Sequence, residues 1–449
     1  MKKKATIVVD LGFGDAGKGT TVDYLARQGG ISAMVRFNGG AQARHFVVTP
    51  DGRTHGFAQF GSGTFVPGVE TFLSRFVLVD PMELVKEAEL LAGLGCRNAL
   101  SRIAIDERAM VVTPMHRALN RLREIARGAG RHGSCGMGIG EAMKMSIEYP
   151  EAVIRIDDLR DLRHLTSRLR LQQEAMAALS KRLMPYTEQV KALDGSGYGA
   201  AVLHHPNSVI ETAEIMHSIA QEVRIVPSGH LKELAQRGSL IFEGAQGVLL
   251  DEWRGFHPHT TWSTTTPHNA QTLLQEIGYE GEVQKLGVMR AYHTRHGAGP
   301  FPTETSGLPA SYFVDRCNGE HEWQGKFRVG WLDMVLLRYA LEVSGGVDGL
   351  VVTHLDQYDA LPHGIAMHIC NGYSPQGNTD IVVHRLPVNP SLTYLAFQER
   401  LTTFLNRATP RYEPAPFSSA DLIQRLADAF GTPVVIGSYG PSAADKRRF

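Results

Sequence analysis

The chain has 449 residues, enough for one large or two smaller domains, and it balances 46 Lys and Arg against 46 Asp and Glu. A net charge of zero offers no broad basic face for a nucleic-acid backbone and no polybasic membrane anchor. Four cysteines, Cys96, Cys135, Cys317 and Cys370, lie far apart without CxxC spacing, which argues against a zinc site or a disulfide framework and fits a reducing cytoplasm.

The opening MKKKATIVVDLG places lysines before an apolar run too short for a signal peptide, so it reads as a first strand. Further runs, SRFVLVD at 74–80, GSLIFEG at 238–244, KLGVM at 285–289, DGLVVTHLD at 348–356 and TPVVIGSYG at 432–440, predict buried strands of a parallel sheet. Between them PMELVKEAELLAGLG, LRHLTSRLRLQQEAMAALSKRL, SVIETAEIMHSIAQEV and GWLDMVLLRYALEVSGG carry helical spacing. The alternation predicts an α/β protein, a P-loop-like nucleotide-binding fold with a mostly parallel central sheet, flanking helices and insertions. No apolar stretch approaches the ~20 residues of a membrane span. With no repeat and no long linker, residues 1–449 are expected to form one catalytic unit, with a surface insertion at about 155–205. Ligands of such sheets gather beyond the carboxyl ends of the strands.

There the loop GFGDAGKGT follows the first strand and precedes the helical TTVDYLARQ. Glycines at 12, 14, 17 and 19 let backbone amides approach phosphate oxygens, and Lys18 adds a point charge. Four glycines and a lysine within eight residues are too many for a turn that merely connects. Gly19 stands where such loops carry a magnesium-binding Ser or Thr, and Asp15 is placed to supply the missing ligand. A carboxylate amid phosphate-binding amides otherwise repels its ligand.

GDAGKGT resembles the GDEGKGK loop of adenylosuccinate synthetases, and FNGGAQARHFVV resembles their QGGNNAGHTVV segment. EGAQGVLLD at 243–251, TTWSTTT after it, VMRAYHTRHGAGPFPTE at 288–304, GWLDMVLLRYA at 330–340 and THLDQYD at 353–359 extend the likeness through most of the chain, in the family's order. The resemblance implies a GTP- and Mg2+-dependent ligase that phosphorylates the 6-oxo group of IMP and displaces phosphate with the amine of L-aspartate. It implies Asp15 as base and metal ligand and His45 as acid, a histidine that alone reads equally well as structural. Gly14, Gly17, Lys18, Gly19 and Thr20 would hold the phosphates, Asp356 the guanine, and Ser438 and Gly440 would enclose it. Asp356 could instead cap its strand, and His354 in place of the family's lysine leaves ATP possible. Asn38, Gln42, Cys135, Gln246, Thr261 and Lys326 fall at acceptor positions, and Gln324 and Arg328 at amino-acid positions; Gln246 and Thr261 also suit ordinary loop hydrogen bonds. The resemblance implies small-molecule substrates, a cytoplasmic homodimer, and no nucleic-acid or membrane partner.

Three departures concern the substrates. TTGRGIGPAY becomes SCGMGIGEAM at 134–143, replacing a phosphate-touching threonine by Cys135 and an arginine by Met137. TTGRRRRTGWLD becomes WQGKFRVGWLD at 323–333. Arg44 replaces a glycine whose carbonyl meets magnesium; the carbonyl persists whatever the side chain, and a drifted surface arginine is the plain alternative. These changes leave room for a paralogue acting on a modified purine nucleotide, nucleoside or other amino donor, or for a catalytically weak regulatory nucleotide-binding protein.

Overall fold

TIVVDLG forms a strand, β1 (Lys4–Asp10), whose side chains point alternately into two cores. Ala5, Ile7 and Val9 face one, with Leu336, Leu337 and Phe256; Val8 faces the other, with Val22, Leu25 and Ala26 of the helix Lys18–Arg27. Burial on both faces explains the unbroken apolar run, each fully buried Ile or Val contributing about 1.5–3 kcal/mol. The computed structural model describes residues 3–131, 133–194, 199–305, 323, 326–361, 367–378 and 380–449.

Nine further strands complete the central sheet: β2 (Ile31–Arg36), β3 (Glu70–Leu73), β4 (Ile103–Asp106), β5 (Arg224–Val226), β6 (Ser239–Glu243), β7 (Glu282–Arg290), β8 (Gly349–Thr353), β9 (Val434–Ser438) and β10 (Lys446–Arg448). Their order is β10-β9-β8-β7-β1-β6-β2-β3-β4-β5, and only the β9–β10 pair is antiparallel. The α/β class expected from the sequence is observed. One strand differs: residues 74–80 do not join this sheet. Ser74 donates to the Arg36 carbonyl and Val77 turns back onto Ser74, so the sheet strand lies just upstream and only Leu78–Val79 is extended, against Met110–Val111.

Helices form where the spacing predicts, at Pro81–Gly93, Leu162–Ser180, Pro206–Glu222 and Met334–Val343. Asp80 caps the first with Pro81 at its opening position, and Asp333 of the GWLD motif caps the last by accepting from the Val335 and Leu336 amides. Within the segment expected as a surface insertion, Leu162–Ser180 carries Leu165, Leu169 and Met176 into a third core, formed with the helices Pro114–Ala126 and Pro206–Glu222. No described helix is long and apolar enough to cross a membrane.

Candidate active site

The carboxyl ends of β8, β7, β1 and β6 lie side by side, and their loops build the cleft. The phosphate loop turns through left-handed Gly14, Asp15 and Gly17. Gly17 is held close, since a Cβ there would stand 3.2 Å from a Thr353 methyl. Asp10, fully buried at the end of β1, organises the loop by accepting from the Gly12 amide at 2.8 Å, the Ala16 amide at 2.9 Å and the Lys18 ammonium at 2.9 Å. Lys18 is thus pre-aimed by an acid behind it. From the neighbouring loop, Gly247 presses so close that a Cβ would fall 2.1 Å from the Gly12 carbonyl oxygen.

Asp15 keeps 30% of its side chain exposed, with His296 Nε2 at 3.5 Å from its carboxylate. Its carbonyl accepts from Arg290 Nε at 2.6 Å. Burial raises its pKa above the usual carboxylate range, and His296, Arg290 and Lys18 restrain the rise. A raised carboxylate is a better proton acceptor.

His45 begins the hairpin strand His45–Val48 and is 7% exposed. Its Nδ1 meets Glu243 Oε1 at 2.5 Å, while Nε2 is buried without a hydrogen-bond partner. Glu243, at the end of β6, also accepts from the Ser62 amide at 2.9 Å and from the Ser62 hydroxyl. Burial lowers the His45 pKa although Glu243 acts against it. Burial alone would raise Glu243, but Arg36, His45 and Ser62 outweigh it and hold the carboxylate ionised. Gly19 is explained here: a Cβ at that position would stand 2.7 Å from His45 Cβ and 3.1 Å from Ser62 Oγ. The hydroxyl-bearing residue usual at this point of a phosphate loop has no room.

The remaining nucleotide positions cluster at one end. Thr20 donates to the Pro441 carbonyl at 2.7 Å and accepts from Lys446 Nζ at 2.8 Å. Lys446 also donates to the Gly440 carbonyl, which accepts from Ser438 Oγ as well. Burial lowers the Lys446 ammonium to about 8. Asp356 is exposed in the first turn of Leu355–Asp359, after left-handed His354.

At the acceptor positions, Gln246 is left-handed and its Oε1 is buried without a partner. Both amide atoms of Gln42 are likewise unpartnered. Asn38 behaves differently: fully buried, it exchanges two hydrogen bonds with the Ala245 backbone, at 3.1 and 2.7 Å, and so shapes the loop that carries Gln246. Thr261 donates its amide to the Leu250 carbonyl at 2.8 Å. Burial pushes the Cys135 thiol up to about 11, so it is neutral. Near it, Arg117 is engaged by Asp80, Glu83 and Met137 Sδ.

On the amino-acid side, Arg328 pairs through two nitrogens with Glu304 and donates to the Gly297 and Gly299 carbonyls at 3.0 Å each. Its donors are therefore taken up by its own chain. Lys326 is exposed and its carbonyl accepts from the Gly297 amide. Gln324 lies outside the described residues. Arg44 is exposed beside His45. The sequence reading assigned nothing to Asp10, Glu243, Ser62, Arg290 or His296, although Asp10 and Glu243 sit inside the motifs TIVVDLG and EGAQG.

A glycine loop that carries a parallel strand into a helix, faced by a buried His–Glu pair, defines an α/β protein built to hold nucleotide phosphates and move a proton beside them. The model of the adenylosuccinate synthetase family matches residues 7–446. The adenylosuccinate synthetase of Neisseria gonorrhoeae (strain ATCC 700825 / FA 1090) is 30% identical over 98% of this chain and 96% of its own, as is that of Neisseria meningitidis serogroup C (strain 053442). The fold is that of fully ligated adenylosuccinate synthetase from Plasmodium falciparum, with a TM-score of 0.77, 20% identity and 99% of each chain covered. It is also that of the succinoaminodeoxyadenylate synthetase of cyanophage S-2L, with a TM-score of 0.59, 17% identity and 100% and 96% covered. The chain belongs to the adenylosuccinate synthetase family, enzymes that form carbon–nitrogen bonds.

Proposed function

We propose that the enzyme uses GTP to phosphorylate the 6-oxo group of IMP and then joins L-aspartate to that carbon, releasing phosphate. The supporting observation is the convergence of Asp15, Lys18 and His45 over adjacent strand ends, each already held by a neighbour. Asp15 takes the N1 proton of the purine, which makes O6 nucleophilic. The His45 Nε2 edge faces the oxygen that receives the phosphoryl group and later leaves with it, and Lys18 balances phosphate charge. The incoming amine then displaces phosphate, and its proton passes to solvent. A single carboxylate with phosphate oxygens and backbone carbonyls suits Mg2+, which takes few protein ligands. Asp15 and the Arg44 carbonyl would hold the ion, which supplies charge neutralisation on the triphosphate. Among the described residues no cluster of three or more His, Cys, Asp or Glu offers an all-protein cage. The enzyme is proposed to work as a cytoplasmic homodimer.

The test is product formation from GTP, Mg2+, IMP and aspartate, followed by chromatography and phosphate release. Omitting either substrate should abolish turnover, and phosphate release without acceptor would overturn the reading.

A second reading concerns the acceptor. Cys135 is neutral and Arg117 is committed to two acids, so the phosphate-binding groups expected near residues 134–143 are altered. The cyanophage S-2L enzyme of the same fold is bound to dGMP and to dATP as an energy donor. Running dGMP beside IMP, and ATP or dATP beside GTP, separates a specialised paralogue from the default.

A further inference from the structure

We infer that Lys446 is a positioning residue for the nucleotide: its ammonium, with the Thr20 hydroxyl, ties the loop 439–442 to the first turn of the helix Lys18–Arg27, so that the base end and the phosphate end of the site are held as one body. The inference deepens the placement of a nucleoside triphosphate given above and rests on it.

Lys446 opens β10 and lies opposite Ser438 in the antiparallel register of β9 and β10. It is 7% exposed. Burial lowers its pKa only to about 8, so at neutral pH the ammonium keeps three hydrogens. Each has an acceptor: Thr20 Oγ1 at 2.8 Å, the Ser442 carbonyl at 2.9 Å and the Gly440 carbonyl at 3.1 Å. Thr20 in turn donates to the Pro441 carbonyl at 2.7 Å. Three consecutive carbonyls, those of residues 440 to 442, are thus drawn onto one ammonium–hydroxyl pair. Asp445, Asp23 and Asp356 offset the buried charge. Asp23 is buried in the same helix as Thr20, and Asp356 is the acid assigned to the base. β10 joins β9 through its backbone, so the ammonium adds nothing to that ladder. GDAGKGT carries Thr20 where GDEGKGK has a second lysine. Here the cation arrives instead from a strand 426 positions away. Because the loop is ordered before a ligand arrives, binding does not bear the entropy of ordering it.

Lys446→Met keeps the apolar stem and removes the ammonium. Ser442 still bridges to Val48 and still caps the turn Ala443–Asp445, so the variant is expected to fold. Titration calorimetry on the full chain with Mg2+ and GTP or ATP reads the effect. Kd for the tighter nucleotide should rise about 10–100-fold in Lys446→Met and about 3–10-fold in Thr20→Val. The double variant should bind within about threefold of Lys446→Met alone, because the two side chains act through each other. In turnover, KM for the nucleotide should follow Kd, while kcat at saturating nucleotide and KM for acceptor and amine stay within about threefold.

Losses that multiply in the double variant overturn the inference, as does a folded Lys446→Met that binds nucleotide like wild type; both leave the ligase reading intact. A lower melting temperature with unchanged Kd gives Lys446 a purely structural role and overturns it too. Hydrogen exchange on wild type decides the matter if no variant folds. Nucleotide should slow the amides of 18–22 and 439–445 together, and slowing confined to one segment overturns the tie. If affinities shift as stated but wild type makes no product from IMP and aspartate, the tie stands and the substrate assignment falls. Wild type that binds neither nucleotide overturns both.

Discussion

Around the phosphate loop, Asp10 holds Lys18 and Glu243 holds His45, each with further donors that fix the acid itself. Across the cleft, Arg328 is taken up by Glu304 and two carbonyls, and Gln42 has nothing to hold. The first region is fixed by its own chain: Lys18 and His45 each rest on a carboxylate that further donors hold in place, the arrangement a preorganised site uses. In the second, Arg328 would have to give up Glu304 to take a substrate carboxylate, whereas Gln42 has no internal partner to give up. On the proposed function, the groups assigned to phosphoryl transfer are the ones already held, whereas those assigned to the acceptor and the amine are either engaged elsewhere or unengaged.

Breaking the preorganised half should have the largest effects. Asp15→Asn keeps the shape and tolerates the left-handed backbone, yet removes the proton acceptor. Turnover should drop about 10³–10⁴-fold while nucleotide affinity, read by titration calorimetry, changes little. Asp10→Asn leaves Lys18 buried beside a neutral group and should destabilise the fold by about 3–5 kcal/mol in urea unfolding. Gly19→Ala forces a Cβ to 2.7 Å from that of His45; kcat should fall about 10–100-fold, with about 1–3 kcal/mol of overpacking strain.

Smaller effects sharpen the contrast. Burial raises the Asp333 carboxyl from 3.8 to about 6, against hydrogen bonds from Tyr373 and two helix amides. The folded state therefore binds this proton more tightly than the unfolded chain. The stability it contributes is complete below about pH 4 and lost as the pH rises through 6. Wild type should lose about 2–3 kcal/mol relative to Asp333→Asn between pH 4 and 7, measured by unfolding at each pH. Least of all, Glu304→Gln should release Arg328 and lower KM for the amino donor by less than about tenfold at constant kcat. A higher KM would mean that Glu304 aims Arg328 instead of competing for it.

Much of the architecture was legible because its signals are local. Apolar runs bounded by glycine and acid marked strands at β1, β6 and β8, and helical spacing marked the helices at Pro81 and Met334. Residues 74–80 misled because an apolar run says nothing about which neighbour will bond it. β3, β4, β5 and β10 were passed over because they are only three or four residues long, and the six-residue β2 was passed over as well. In the site, the loop glycines, Lys18 and Asp15 stood out by spacing. Glu243 and Ser62 did not, since each acts on a residue distant in sequence, and no local pattern encodes a hydrogen bond across 198 positions. The resemblance indicated where Asn38 and Arg328 sit in the chain, but only geometry shows that Ala245 and Glu304 already occupy them.

Among the described residues, three that are not glycine adopt left-handed torsions, Asp15, Gln246 and His354, and each follows the end of a central strand. Aspartate tolerates that conformation, but a glutamine or an imidazole there raises the energy by about 1–2 kcal/mol. Exchange to glycine at 246 or 354 should accordingly yield a protein that melts later and works worse, so that heat tolerance and turnover pull in opposite directions at the rim of the cleft.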